Sequence, residues 1–444
     1  MSEVVTDSRW STEQVLALAP DASSQKAGRG LATLQKWHDI GHDGGGEQPG
    51  GVWGLCKGSG SKPYQTCVDL AEPAYRCSCP SRKFPCKHAL ALLLLWSDGK
   101  LTAGEPPEWV REWRDSRAAR VERAKTRQEN AGPADPAAAA RTAKRRATRV
   151  TAGLDELDTW LADQIRAGLA GAGQHGYKHW DSMAARLVDA QAPAAASTVK
   201  GLAGVAVGQP ADALLTELAL LRMLVAGHRR LDDLPPALAA TVRQHVGYPI
   251  STEEVLATPA TRDRWLVLGR QDEAADKLTV RRVWLHGRQT GRPALVLSFA
   301  APGQALSADL VTGTVVDADL CFYPGGAALR ALVSQQHGFT ATPGTGEVSA
   351  STVAAALDGY AAALAADPWL DRWPMLLDEV VVTLADGQWH LIDAAGDALP
   401  LHSAAELWVL VALAGGRPVR VAAVWTPTGL QLMTAWLDGK MVAL

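Results

Sequence analysis

The sequence predicts an α+β protein of several domains: a small N-terminal ββα module, a central helical bundle or short solenoid, and a C-terminal β-rich domain with inserted helices. Three observations predict this. Five of the six cysteines fall between Cys56 and Cys86. The stretch from Gly153 to Leu256 carries apolar residues at helical spacing, and the chain after Thr261 breaks into short alternating runs separated by glycines. At 444 residues, 47% hydrophobic and 20% charged, the chain holds enough material for several units of ~100–200 residues, each with its own core. Its formal net charge of -3 demands no polyanionic partner. No apolar run reaches the ~18 residues of a membrane span, the longest being Ala89 to Trp96. Glu3, Asp7 and Arg9 precede no apolar signal region, so a cytoplasmic location without a membrane partner is expected.

The first element is a helix from Ser11 to Leu18, with Ser11 as cap and Glu13 and Gln14 in its first turn. A glycine-rich loop, Gly41 to Gly51, follows, and neither it nor Gly58-Ser-Gly-Ser-Lys-Pro63 has the spacing of a phosphate loop. Strands over Gly51–Lys57, Tyr64–Asp69 and Ala74–Cys79 then lead into a small antiparallel sheet. Six cysteines are too few for a disulfide scaffold in so long a chain, and clustered thiols in a reducing compartment point to metal.

The segment Cys77-Ser-Cys-Pro-Ser-Arg-Lys-Phe-Pro-Cys-Lys-His88 supplies four donors within one short stretch. Three thiolates and one imidazole satisfy tetrahedral zinc, and four donors close a site that a catalytic zinc would keep open. Tyr75, Cys77 and Cys79 alternate as on a strand, so both sulfurs leave one side, and Pro80-Ser81 turns the chain back. The run after Pro85 has the residues of a buried helix, which places Cys86 at or before its start and His88 in its first turn. Partial positive charge at that helix N-terminus favours a thiolate. Arg76, Arg82, Lys83 and Lys87 lie between or beside the ligands, where they compensate the centre's negative charge or meet a phosphate. Cys56 and Cys67 exceed zinc's four donors and read as packing residues of a hairpin, and Cys321 as an ordinary buried cysteine.

At these positions the sequence resembles the bacterial members of the SWIM zinc-finger family, whose signature is CxC, a variable spacer, then CxH. All four ligand positions match, and Leu18-Ala-Pro-Asp21, Gly28-Arg-Gly-Leu-Ala32, Trp53-Gly-Leu-Cys-Lys-Gly-Ser-Gly60, Pro63-Tyr64 and Val68-Asp-Leu70 precede the finger as in those proteins. The resemblance covers about the first 100 residues closely. It implies a zinc-bound ββα finger over about 64–98 and one structural zinc held by Cys77, Cys79, Cys86 and His88. It also implies protein or DNA binding without catalysis, beside an ATPase or a von Willebrand type A protein.

Between Arg111 and Arg149 twelve Lys and Arg face five acids, and Arg111, Arg114, Arg117, Arg120 and Arg123 repeat every three residues as a basic stripe. Such a stripe either contacts phosphates or is a solvated helix running into the linker Asn130-Ala-Gly-Pro-Ala-Asp-Pro136. Helices from Gly153 to Leu256 are joined at Gly171-Ala-Gly173, Gly208-Gln-Pro210 and Leu234-Pro-Pro236. Leu214, Leu218, Leu221 and Val225 mark the clearest buried face. His175 and His179 stand four apart but lack an HExxH frame, so they read as ordinary histidines.

Beyond Thr261, strands are expected at Trp265–Leu268, Leu278–Leu285, Pro293–Phe299, Ser307–Leu310 and Val315–Cys321. A helix follows at Ser351–Ala366, then strands at Glu379–Leu384, Gln388–Ile392, Pro418–Val424 and Gly429–Trp436. Ala385-Asp-Gly387 is a hairpin signal, and the spread of tryptophans through this half argues for core and interface packing. The resulting domains are residues 1–105, a basic helix and linker at 106–150, a helical domain at 151–258 and a β-rich α+β domain at 259–444. No GxSxG, Walker A, HExxH or Rossmann fingerprint occurs, so the expected function is a zinc-stabilised protein-interaction adaptor with no catalytic residues. The alternative is DNA binding through the finger and the basic helix, and a third, weaker reading is an enzyme whose cleft assembles from distant segments.

Overall fold

The computed structural model describes residues 10–20, 22–43, 50–58, 62–70, 74–81, 83, 85–129, 136–275, 278–301, 306, 309–340, 350–402, 405–438 and 440–444. Ser11 caps α1 (Thr12–Ala17) in a reciprocal box with Gln14, because the serine hydroxyl accepts the amide that the first turn leaves free. After α2 (Ala22–Leu31), the strands β1 (Trp37–His42), β2 (Gly51–Cys56), β3 (Tyr64–Asp69) and β4 (Ala74–Cys77) pair antiparallel in sequence order. Period-2 alternation gives the sheet two buried faces. Val52, Cys56, Val68 and Tyr75 pack on α3 (Lys87–Ser97), while Trp53 and Cys67 pack on Val110, Trp109 and Trp113 of α4 (Glu108–Glu129). Helix α3 is buried from His88 to Trp96, as its unbroken apolar run requires.

That second face accounts for the basic stripe. Arg114 donates to both carboxylate oxygens of Asp43 and Arg117 reaches Asp69 at 3.1 Å, so these two arginines fasten α4 to the sheet. Arg111 bonds the Pro106 carbonyl and is exposed, as is Arg123, while the Arg120 side chain lies outside the described residues. The linker at 130–135 also lies outside them. Burial opposes ionisation of Asp43, but the Arg114 guanidinium and the Gly51 amide outweigh it and hold the carboxyl below its ordinary value. A carboxyl with a depressed native pKa stabilises the fold above its unfolded value and loses that contribution as pH falls through the native one. Arg114→Met is therefore expected to weaken the acid-side pH dependence of unfolding, measured by urea titration between pH 7 and pH 3 with wild type as reference.

Next comes α5 (Pro136–Ala167), which runs unbroken through position 150, because Val150, Leu154, Leu157 and Leu161 continue one apolar stripe. With α6 (Gly176–Asp189), α7 (Pro193–Gly208), α8 (Ala211–Arg229) and α9 (Pro236–Val246) it encloses a single core, so the central region is a bundle and not a solenoid. Leu214, Leu218, Leu221 and Val225 all point into that core.

After the short α10 (Thr252–Leu256), β5 (Thr261–Ala275), β6 (Leu278–Gly287), β7 (Pro293–Ala300), β8 (Val315–Phe322) and β9 (Arg330–Thr340) form a closed barrel in the order β5-β6-β7-β9-β8. The first three are antiparallel neighbours, β8 returns to β5, and β9 closes the gap by running parallel to β7 at Leu295–Arg330 and Val296–Ala331. This is a five-stranded Greek-key barrel of the OB type. Of the expected strand at 307–310, Asp309 and Leu310 belong to the loop before β8 and the first two residues lie outside the described set. Leu310 packs against the barrel core, as do Val296 and Val333.

A second sheet, β12-β11-β10-β13-β14-β15, uses β10 (Trp373–Ala385), β11 (Gln388–Ile392), β12 (Ala398–Pro400), β13 (Val419–Thr426), β14 (Gly429–Leu437) and β15 (Lys440–Ala443). It is covered by α11 (Val353–Ala366) and α12 (Ala405–Ala414). The turn from β10 to β11 places Asp386 at φ 52° and Gly387 at φ 77°, the left-handed pair that a tight hairpin needs. Among the eight tryptophans of this half, Trp408 lies outside the core, being 63% exposed on α12 and edge-on to Trp389.

The parts are joined by specific bonds. Gln14 donates to the Gly313 carbonyl and Arg270 to that of Ala19, tying the N-terminal module to the barrel. Thr434 links sheet to barrel at Leu268, and Trp369 donates to Leu220 of the bundle. Among the described residues no helix is long and apolar enough to cross a membrane.

Candidate metal centre

The four predicted ligands meet between the end of β4, the turn after it and the head of α3. Cys77 ends β4, opposite Thr66 of β3, and Cys79 sits in the turn beyond. Cys86 is the N-cap of α3 with extended backbone, and His88 is its second residue, so the helix start turns both donors toward the strand end. All four donor atoms lie within 4.8 Å of one another. Nδ1 of His88 is 3.7 Å from the Cys77 sulfur and 3.9 Å from that of Cys86. Donors at ~2.0–2.3 Å from a tetrahedral zinc stand roughly 3.6–3.8 Å apart, so the cluster fits one zinc ion with Nδ1 as the histidine donor. Cys86 and His88 are each only 4% exposed, and Cys77 and Cys79 are half-buried.

A hydrogen bond from Cys86 does most to favour the Cys77 thiolate, which is lowered to about 4 against the opposing effect of burial, and His88 and Thr66 add further bonds. Cys86 is correspondingly pushed up, and burial raises Cys79. A metal ion replaces these shared protons and removes the frustration of three thiols competing for one negative charge.

Thr66 is a site residue that sequence reasoning missed. It is fully buried, and its hydroxyl lies 3.2 Å from the Cys77 sulfur. Tyr64 is a second, its ring centroid 4.9 Å from that of His88. The only signal for either was the strand register, which sequence does not display. Of the basic residues near the site, Arg76 bonds the Trp109 carbonyl, Lys83 bonds Ser23, Lys87 is exposed and Arg82 lies outside the described residues.

Cys56 and Cys67 stand apart from the centre, as packing residues on opposite faces of the sheet. Burial raises the first to about 11 and the second to about 12. Cys321 is buried as well. The His175 and His179 rings lie 4.8 Å apart and tilted by 35°, and His179 bonds Gln164. Chelation is thus expected to open Cys77, Cys79 and Cys86 to a thiol reagent while Cys56, Cys67 and Cys321 stay protected. Peptide mapping of alkylated protein checks this, and equal labelling of all six would contradict the packing described.

A closed centre of three cysteines and one histidine, joining a sheet to a helix, defines a zinc-finger protein with a structural metal site. Residues 67–96 match the model of the SWIM zinc finger and residues 145–246 that of the SWIM-associated four-helix bundle domain, so over these two segments the chain is similar to SWIM zinc-finger proteins. The second match falls on α5 to α9, whose four long helices are α5 to α8. No curated protein and no solved structure matches the chain.

Proposed function

We infer that this protein is a non-catalytic, cytoplasmic adaptor in which zinc sets the shape of a protein-binding module. The observation that carries this reading is the closure of the metal centre: four protein donors leave zinc no position for water or substrate, so its role is to hold β4 to α3. The engagement of Arg114 and Arg117 within the module supports protein over DNA as partner, because it spends two charges of the stripe on Asp43 and Asp69. Exposed Trp408, Val409 and Leu413 on α12 add apolar surface away from the finger. The partner class suggested by resemblance is an ATPase or a von Willebrand type A protein.

The test is cross-linked affinity capture of tagged protein from its host, followed by reconstitution of the complex from purified components. A partner that binds the wild type and is lost with Cys86→Ser supports the adaptor. Failure of every recovered candidate to bind the purified chain refutes it. DNA binding has one observation in its favour, the exposure of Arg111, Arg123 and Lys87. Phosphate contacts make affinity fall steeply with salt. Titration with nonspecific duplex at low ionic strength decides, and no detectable binding there removes the DNA reading.

A further inference from the structure

A cleft of about 240 Å³ opens where the outer face of β6 and β7 meets the β8–β9 loop, the end of α9 and the segment before β10. It lies away from the zinc centre and shares no residue with it. Its floor is apolar, with Leu295, Leu297 and Leu370. One wall is Trp369, held by its indole bond to Leu220 and set 5.2 Å from the His245 ring.

Three guanidinium groups, of Arg282, Arg330 and Arg372, line the cleft. Arg330 stacks over the Tyr323 ring at 4.1 Å and has no carboxylate within ion-pair distance among the described residues. Arg372 has only loose partners, Glu273 at 3.6 Å and Asp371 at 3.9 Å, whereas Arg282 is paired with Glu273. The Arg330 guanidinium lies over an aromatic ring and makes no hydrogen bond or ion pair among the described residues, which leaves its donors available to an anion. Gln244 offers an amide with both donor and acceptor, and Asp371 a carboxylate that is 74% exposed.

We propose that this cleft binds a single nucleotide, with the base on the Leu295–Leu297 floor beside Trp369, the phosphate on Arg330 and Arg372, and the ribose hydroxyls on Asp371. Each part of the ligand meets the chemistry it requires. A base needs apolar surface and an amide to read its edge, a phosphate needs planar donors, and a ribose diol needs an acceptor pair. Barrels of this topology use the same face, strands two and three with the loop between strands four and five, for nucleic acids and sugars. The guanidinium pair selects the phosphorylated ligand over a neutral sugar. The volume sits below the ~300–1,000 Å³ of common ligand cavities, so the cleft has room for no more than one nucleotide and leaves it partly exposed. Such a unit is either a free mononucleotide or the end of a single strand. This inference does not rest on the adaptor reading.

The experiment is isothermal titration of the zinc-loaded full chain with AMP, GMP, CMP and UMP, with a 5′-phosphorylated oligothymidylate, and with inorganic phosphate. Saturable binding of at least one mononucleotide or of the oligonucleotide, weakened ten-fold or more by Arg330→Ala, is expected. Arg372→Gln serves as a second variant because it leaves β9 untouched, and circular dichroism verifies that both fold. Mononucleotide binding assigns the free ligand, and oligonucleotide binding alone assigns the strand end. The proposal is overturned if no nucleotide binds at millimolar concentration, if phosphate binds as tightly as the nucleotides, or if neither folded variant weakens binding.

Discussion

Chelating the zinc, or replacing Cys86 by serine, is expected to destabilise the N-terminal module by on the order of 5 kcal/mol while the helical bundle and the barrel keep their structure. The estimate lies below the ~10–16 kcal/mol by which zinc holds isolated finger peptides, because this module has a core of its own. Val15, Leu90, Leu92, Leu93 and Leu95 are each fully buried there without help from the metal. What the metal adds is local. β4 is only four residues long, and among the described residues the stretch from Cys77 to Cys86 is otherwise tied to the module through the Cys77 sulfur, the bonds between Ser78 and Gln65 and the bond from Lys83 to Ser23. Differential scanning calorimetry with and without chelator should therefore resolve an early transition in the metal-free protein. A single unchanged transition would show that the finger is ornamental to stability.

The second large effect is expected at Trp284. Its side chain is fully buried between barrel and six-stranded sheet, among Leu266, Leu268, Leu376, Val424 and Met433, and its indole donates to Gln271 at 3.3 Å. Trp284→Ala removes this packing and leaves a void at the seam, for a cost of about 3–5 kcal/mol. Because Thr434 also bonds Leu268 across the same seam, barrel and sheet are expected to unfold together, with one midpoint by tryptophan fluorescence and by far-ultraviolet circular dichroism. Two separated midpoints in the wild type, or a loss below about 1 kcal/mol in the variant, would contradict a shared core.

The metal centre was legible because its chemistry is local. Four donors within twelve residues, a proline turn and a following apolar helix place the ligands without reference to the rest of the chain, and Cys86 as the cap of α3 is where that reasoning puts it. The partners of the ligands were not legible, since Thr66 reaches Cys77 only through the register of β3 against β4. The α+β class and the three-part order follow from periodicity, whereas the barrel does not. Its closing strand β9 is interrupted by register shifts opposite Asp317–Ala318 and Asp319–Leu320, and these bulges erase the period of two that marks a strand in sequence. Helix α12 is apolar nearly all round, a pattern that periodicity cannot assign, and β1 precedes a loop whose glycines mask it. The arginines of α4 were correctly seen as a stripe. Their carboxylate partners, Asp43 and Asp69, lie more than forty residues away in sequence, so the loss of two of the five arginines to internal pairing is visible only in three dimensions.

The account rests most directly on metal content and its ligand shell. Elemental analysis of protein purified under thiol-protecting conditions, combined with X-ray absorption at the zinc edge, should find one zinc per chain with three sulfur neighbours at ~2.3 Å and one nitrogen at ~2.0 Å, lost in Cys86→Ser. A chain that takes up no zinc when the ion is supplied to its reduced thiols, or that holds it in a shell of oxygens, would contradict the account.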